Sequence, residues 1–107
     1  MQVPLQVTFE GTEPSDAARL QIEQEVERLE THNDRIVSCR ITVIAPGHNH
    51  RHGTGFEIHI NIAIPPNKDI VVSHSAGDDT RHESAAAAIK DAFASARRQI
   101  DDLKHHA

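Results

Sequence analysis

Residues 56–64, FEIHINIAI, alternate without a break: Phe56, Ile58, Ile60, Ile62 and Ile64 fall on one side, and Glu57, His59 and Asn61 on the other. Period two over that length predicts an extended strand with one buried and one wet face, because a helix would scatter the same isoleucines around its circumference. Such a strand needs sheet partners beside it and an apolar layer over its isoleucine face. The rest of the chain has to supply both.

Residues 3–9, VPLQVTF, place Val3, Leu5, Val7 and Phe9 against Pro4, Gln6 and Thr8, which predicts a first strand. Pro4 has no N–H to give a ladder, so this strand belongs at or near an edge. Residues 36–44, IVSCRITVI, set Val37, Cys39, Ile41 and Val43 inward against Ser38, Arg40 and Thr42. After the turn PPNKD, residues 70–75, IVVSHS, predict a last strand. Between the first two strands, PSDAARLQIEQEVERLE has helical spacing, with Ala18, Ile22, Val26 and Leu29 on one face and Ser15 or Thr12 as cap. A second helix is predicted from RHESAAAAIKDAFASARRQI, residues 81–100, with Ala85, Ile89, Ala92, Phe93, Ala96, Ile100 and Leu103 as its apolar stripe.

The order β-α-β-β-β-α predicts an α+β fold. Crossing through the first helix makes strands one and two parallel, while short links make strands two to four an antiparallel meander. Because each strand has a single apolar face, both helices pack on one face of a four-stranded mixed sheet and the other face stays wet.

A length of 107 residues suits one domain spanning 1–107, and there are no repeats or long linkers. No apolar run approaches the ~20 residues that cross a bilayer, and no basic leader precedes an apolar segment, so a cytoplasmic chain is expected. Cys39 has no second cysteine to pair with, and its place in the alternation predicts a buried core thiol. The net charge of −5 opposes a general attraction to polyanions. That acidity is concentrated, however: Glu10, Glu13, Asp16, Glu23, Glu25, Glu27, Glu30 and Asp34 face only Arg19 and Arg28 in the first 34 residues, and the remainder is close to neutral. A local basic surface is therefore allowed.

Three features bear on chemistry. HNHRH, with His48, His50 and His52, is a weak metal candidate: alternate imidazoles can share an ion, but no cysteine or carboxylate lies in the loop and the spacing is not that of a closed zinc site. It also places Arg51 where phosphates can be met. On the wet sheet face Arg40 and His59 are neighbours in the simplest register, with Glu57 close to them. Along the last helix Lys90, Arg97 and Lys104 recur every seven residues beside the apolar stripe, with Arg98 on its flank, Arg81 and His82 near its start, and Asp101 and Asp102 as local partners. The ridge reads either as ordinary solvation or as a contact for phosphates. Gly47, Gly53 and Gly55 precede a strand rather than a helix and make no phosphate cradle. With no Trp or Tyr and all three phenylalanines at core positions, stacking of single-stranded bases on aromatic rings is excluded. No Ser-His-Asp arrangement is visible, and an enzyme is not expected.

The element order together with RHESAAAAIKDAFASARRQIDDLKHH resembles the ribosome hibernation-promoting factors, the family of the ribosome-associated inhibitor protein Y, in its short, sigma-54 modulation protein-like form. The likeness runs over essentially the whole chain and is most specific where a basic-His-acidic start, AI, an acidic residue, RRQ and a leucine follow in register. It implies a non-enzymatic, cofactor-free monomer that binds small-subunit ribosomal RNA in the decoding channel and inhibits translation under stress, with neither a membrane nor a small-molecule substrate as partner. Carried over by position, the RNA contacts are Arg81, His82, Arg98 and Lys104 on the last helix and Arg28 on the first. Lys90 and Arg97 join them through the stripe, and Arg40 and Arg51 are secondary. The chain departs from the family at Ser84, Ala85 and Ala86, where members carry an acidic-Met-Tyr sequence, and it stops before the position of a C-terminal dimerisation domain. The alternative from another class is a histidine-rich, metal- or pH-responsive module on the same fold.

Overall fold

The computed structural model describes residues 4–32, 35–45, 56–66, 68–74 and 84–105, without the side chains of His32, Lys104 and His105. Strand β1 (Leu5–Glu10) leads into helix α1 (Asp16–His32), followed by β2 (Ser38–Ile44), β3 (Glu57–Ile64), β4 (Lys68–His74) and helix α2 (Ala85–His105). The sheet order is β1-β2-β3-β4, with β1 parallel to β2 and the other neighbours antiparallel. This is the expected α+β arrangement, and it puts β1 at an edge, where Pro4 costs no ladder bond.

The strict alternation of β3 translates directly into burial: Ile58, Ile60, Ile62 and Ile64 are all at 5% exposure or less. They share one cluster with Ile22, Val26 and Leu29 of α1, Ile41 and Val43 of β2, Ile70 and Val72 of β4, and Ile89, Phe93 and Ile100 of α2. Both helices therefore cover the same face. Each fully buried aliphatic side chain contributes about 1.5–3 kcal/mol against the entropy of ordering the chain.

The helix starts are set locally. Ser15 Oγ accepts from the Ala18 N–H at 3.2 Å and Ser84 Oγ from the Ala87 N–H at 3.1 Å, so each serine caps one helix. A cap of this type is worth about 1 kcal/mol. Gly11, with φ of 77°, makes the left-handed turn out of β1 that a Cβ would disfavour.

Two expectations at strand ends are corrected. Val37 does not face inward: it is 50% exposed, one residue before β2, while Ile36 is 6% exposed. The chain comes into the sheet from α1 at this point, and Ile36 reaches the core first. Similarly, Lys68 and Asp69 belong to β4 rather than to the preceding turn, pairing with Ile64 and Ala63. Among the described residues the turn consists of the Pro65-Pro66 pair, joined by a cis peptide.

Candidate nucleic-acid interface

Helix α2 packs through Ala88, Ile89, Ala92, Phe93, Ala96 and Ile100, and this stripe decides where its cations point. Ala86, Lys90 and Arg97 fall on one flank because positions four and eleven apart nearly coincide on a helix of 3.6 residues per turn. That flank looks toward α1, since Gln21 Nε2 donates to the Ala86 carbonyl at 2.8 Å. The opposite flank carries Gln99, whose amide reaches the Val71 carbonyl of β4 at 3.4 Å. Arg98 lies about 100° further round, on the crest. Strands β1 and β4 run in the same direction, so the helices that return from them are parallel, and Lys90 and Arg97 lie along the α1-facing flank of α2.

The pairing of charges differs between the two helices. On α1, Arg19 sits 3.7 Å from Glu23, and Arg28 donates to Glu25 at 3.3 Å, with the Glu25 side chain only 12% exposed. On α2, Lys90, Arg97 and Arg98 are exposed and have no ion-pair partner among the described residues. The expected local partnership of this ridge with Asp101 and Asp102 is not formed at Lys90, Arg97 or Arg98 among the described residues, and its Lys104 part lies outside them. Arg28 can meet a phosphate only in competition with Glu25, whereas the α2 cations have no such competitor among the described residues.

Other candidates are dispersed. Arg40 stands on the outer face of the sheet, on the far side from α2, where it pairs with Gln6 on β1 and Asn61 on β3. His59 is therefore not its direct neighbour: the register sets His59 against Thr42 and Ser73, one pair further along and diagonal to Arg40. Lys104 falls within α2 one heptad beyond Arg97, with its side chain outside the described residues. Arg51, Arg81 and His82, and the loop histidines His48, His50 and His52, also lie outside them. Among the described residues no cluster of three metal-ligating side chains occurs.

One constellation escapes sequence reasoning. On the outer face Glu57 and Ser73 flank the His59 ring: Nδ1 is 3.0 Å from Ser73 Oγ, and Nε2 meets a Glu57 carboxylate oxygen. The Glu57–His59 half follows from their two-residue spacing on one strand, whereas Ser73 reaches His59 only through the β3–β4 register. The carboxylate and the hydroxyl hold the imidazole in one orientation along an exposed polar row shared with Thr8 and Thr42.

Cys39 is a core residue at 3% exposure. Burial, reinforced by the carboxylate of Glu30, pushes its thiol from 9.0 up to about 12. From pH 9.0 toward about 12 the unfolded chain gives up a proton that the folded chain retains, so this group makes stability fall as pH rises through that window. An aromatic disulfide reagent at mildly alkaline pH is expected to leave Cys39 unmodified until denaturant is added; prompt stoichiometric reaction of the folded protein would contradict its burial.

The family model described as Sigma 54 modulation protein / S30EA ribosomal protein matches residues 5–107. No curated protein matches the chain. Among solved structures, a ribosomal subunit interface protein from Coxiella burnetii is 17% identical and superposes with a TM-score of 0.75 over 96% of this chain and 99% of that one. The N-terminal domain of Thermus thermophilus Protein Y is 18% identical, with a TM-score of 0.72 over 96% of this chain and 99% of that domain. At such identities the superpositions speak for the fold alone.

Proposed function

We propose, for a chain that belongs to the Sigma 54 modulation protein / S30EA ribosomal protein family, the role of a cytoplasmic translation inhibitor that lodges in the decoding channel of the small ribosomal subunit. It forms and breaks no bond. Occupying the channel excludes messenger and transfer RNA, and the idle ribosome is preserved.

The observation that carries this reading is the set of cations on α2, Lys90, Arg97 and Arg98, that have no ion-pair partner among the described residues, in a chain whose α1 arginines are matched with acids. Cations that no described acid engages are available to an outside polyanion, and several on one helix can act on it together. Rigid presentation on a docked helix suits recognition of RNA by backbone and shape, the mode open to a chain without exposed aromatic rings. Lys104, one heptad beyond Arg97, continues the row by sequence position, and Arg81 and His82, which precede the helix in sequence, join it as contacts that the family resemblance implies; Arg40 is not part of it.

Co-sedimentation with isolated small subunits and with whole ribosomes across a salt series tests the reading. Binding to both is expected, with log affinity falling against log salt at a slope of about −2 to −3 for three phosphate contacts. Absence of binding even at low salt would refute it.

A further inference from the structure

The outer face of the sheet holds a concavity that the α2 ridge leaves unused. Partner residues Ser38 and Ala63 put two small side chains side by side, next to a row of long ones formed by Gln6, Arg40 and Asn61 across β1, β2 and β3. The step between the rows opens a hollow of about 490 Å³, which Pro4 also lines. Small-molecule sites commonly span about 300–1,000 Å³, so the space suits a ligand the size of a mononucleotide.

The wall has a definite chemistry. Arg40 is exposed and has no ion-pair partner among the described residues, and its guanidinium is planar, permanently charged and able both to stack and to fork onto phosphate oxygens. The primary amides of Gln6 and Asn61 stand on either side, at the ~4.8 Å spacing of neighbouring strands, and each offers a donor and an acceptor. A simple anion would use only the donors of this row. A ligand that uses all of it carries a negative group together with a flat heterocycle edged by donors and acceptors. Asp69, the partner of Ala63 on β4, ends the floor row with a carboxylate. It repels a phosphate there and leaves Arg40 as the phosphate position.

We infer that this hollow is a nucleotide site, with the base against Ser38 and Ala63, its edge on the Asn61 amide, and the phosphate on Arg40 beside the Gln6 amide. The nucleotide comes either from the free pool or from an unstacked position in single-stranded RNA. The site lies across the sheet from α2 and does not depend on the ribosome reading.

The test is an NMR titration of the isotopically labelled full chain with AMP, with inorganic phosphate and with a short single-stranded oligoadenylate. Saturable AMP binding is expected, with shifts at Gln6, Ser38, Arg40 and Asn61 and much weaker binding of phosphate alone. Arg40→Ala is expected to weaken AMP at least about tenfold, and Ala63→Leu to abolish binding by filling the floor. Arg97→Glu with Arg98→Glu should leave AMP binding unchanged. Oligoadenylate bound more tightly than AMP at the same residues identifies an RNA strand as the source; equal or weaker binding identifies the free nucleotide. The inference is overturned if neither AMP nor oligoadenylate saturates, if phosphate alone binds as well as AMP, or if binding survives both Arg40→Ala and Ala63→Leu.

Discussion

Reversing the charge of Arg97 and Arg98 together is expected to lower affinity for the small ribosomal subunit on the order of 10²-fold at about 0.1 M salt, while the thermal midpoint moves by no more than a couple of degrees. Both side chains are exposed and neither has an ion-pair partner among the described residues, so no internal contact is lost when they are replaced. The loss comes from removing two phosphate contacts and putting two carboxylates in their place. The salt series reports this directly: losing two counterion-releasing contacts should flatten the log–log slope by about 2. Arg19→Glu is the internal control, because that arginine already pairs with Glu23 on the other helix. Co-sedimentation of a folded Arg97→Glu, Arg98→Glu protein at wild-type affinity would remove α2 from the interface.

The largest stability effect is expected at Phe93. It is 2% exposed, the largest side chain in the core cluster, and set in the middle of the α2 stripe that meets the sheet. Phe93→Ala creates a cavity among residues already at crystal-like density and should cost about 3–5 kcal/mol. For a domain near 100 residues, where one kcal/mol moves the midpoint by roughly 4–8 °C, the melting temperature should fall by about 15–30 °C. Such a loss approaches the whole stability of a marginal domain, about 5–15 kcal/mol. Thermal unfolding followed by circular dichroism measures it, and a fall of only a few degrees would mean that α2 does not dock on the sheet through this face.

Phe93 and the Arg97-Arg98 pair sit four and five positions apart on one helix and answer to different physics, and they mark how far the chain can be read without its fold. Ile89, Phe93 and Ile100 declare themselves core by period alone, as Ile58, Ile60 and Ile62 do on β3. Where an apolar pattern ends the reading fails: Val37 continues the β2 alternation on paper and yet is exposed, because a strand end is placed by the element feeding it. Lys68 and Asp69 look like turn residues, since charge hides a strand whose ladder bonds come from the backbone. The cationic row on α2 is visible as a spacing, but the lack of ion-pair partners for Lys90, Arg97 and Arg98 among the described residues is not, because acids at helical spacing make such pairs possible without forming them.

Side-chain periodicity is a property of the chain's own backbone geometry, and so the amino-acid sequence by itself determined the element order, the faces that become core and the flank on which Lys90 and Arg97 fall. Register is not local. Which residue of β2 meets which residue of β3 depends on how the strand ends are placed by helices and loops, and a shift of one or two positions changes every cross-strand neighbour. For that reason only the tertiary structure decided that Arg40 stands between Gln6 and Asn61, that His59 is held by Glu57 and Ser73, and that Arg40 and the α2 row look out from opposite sides of the sheet.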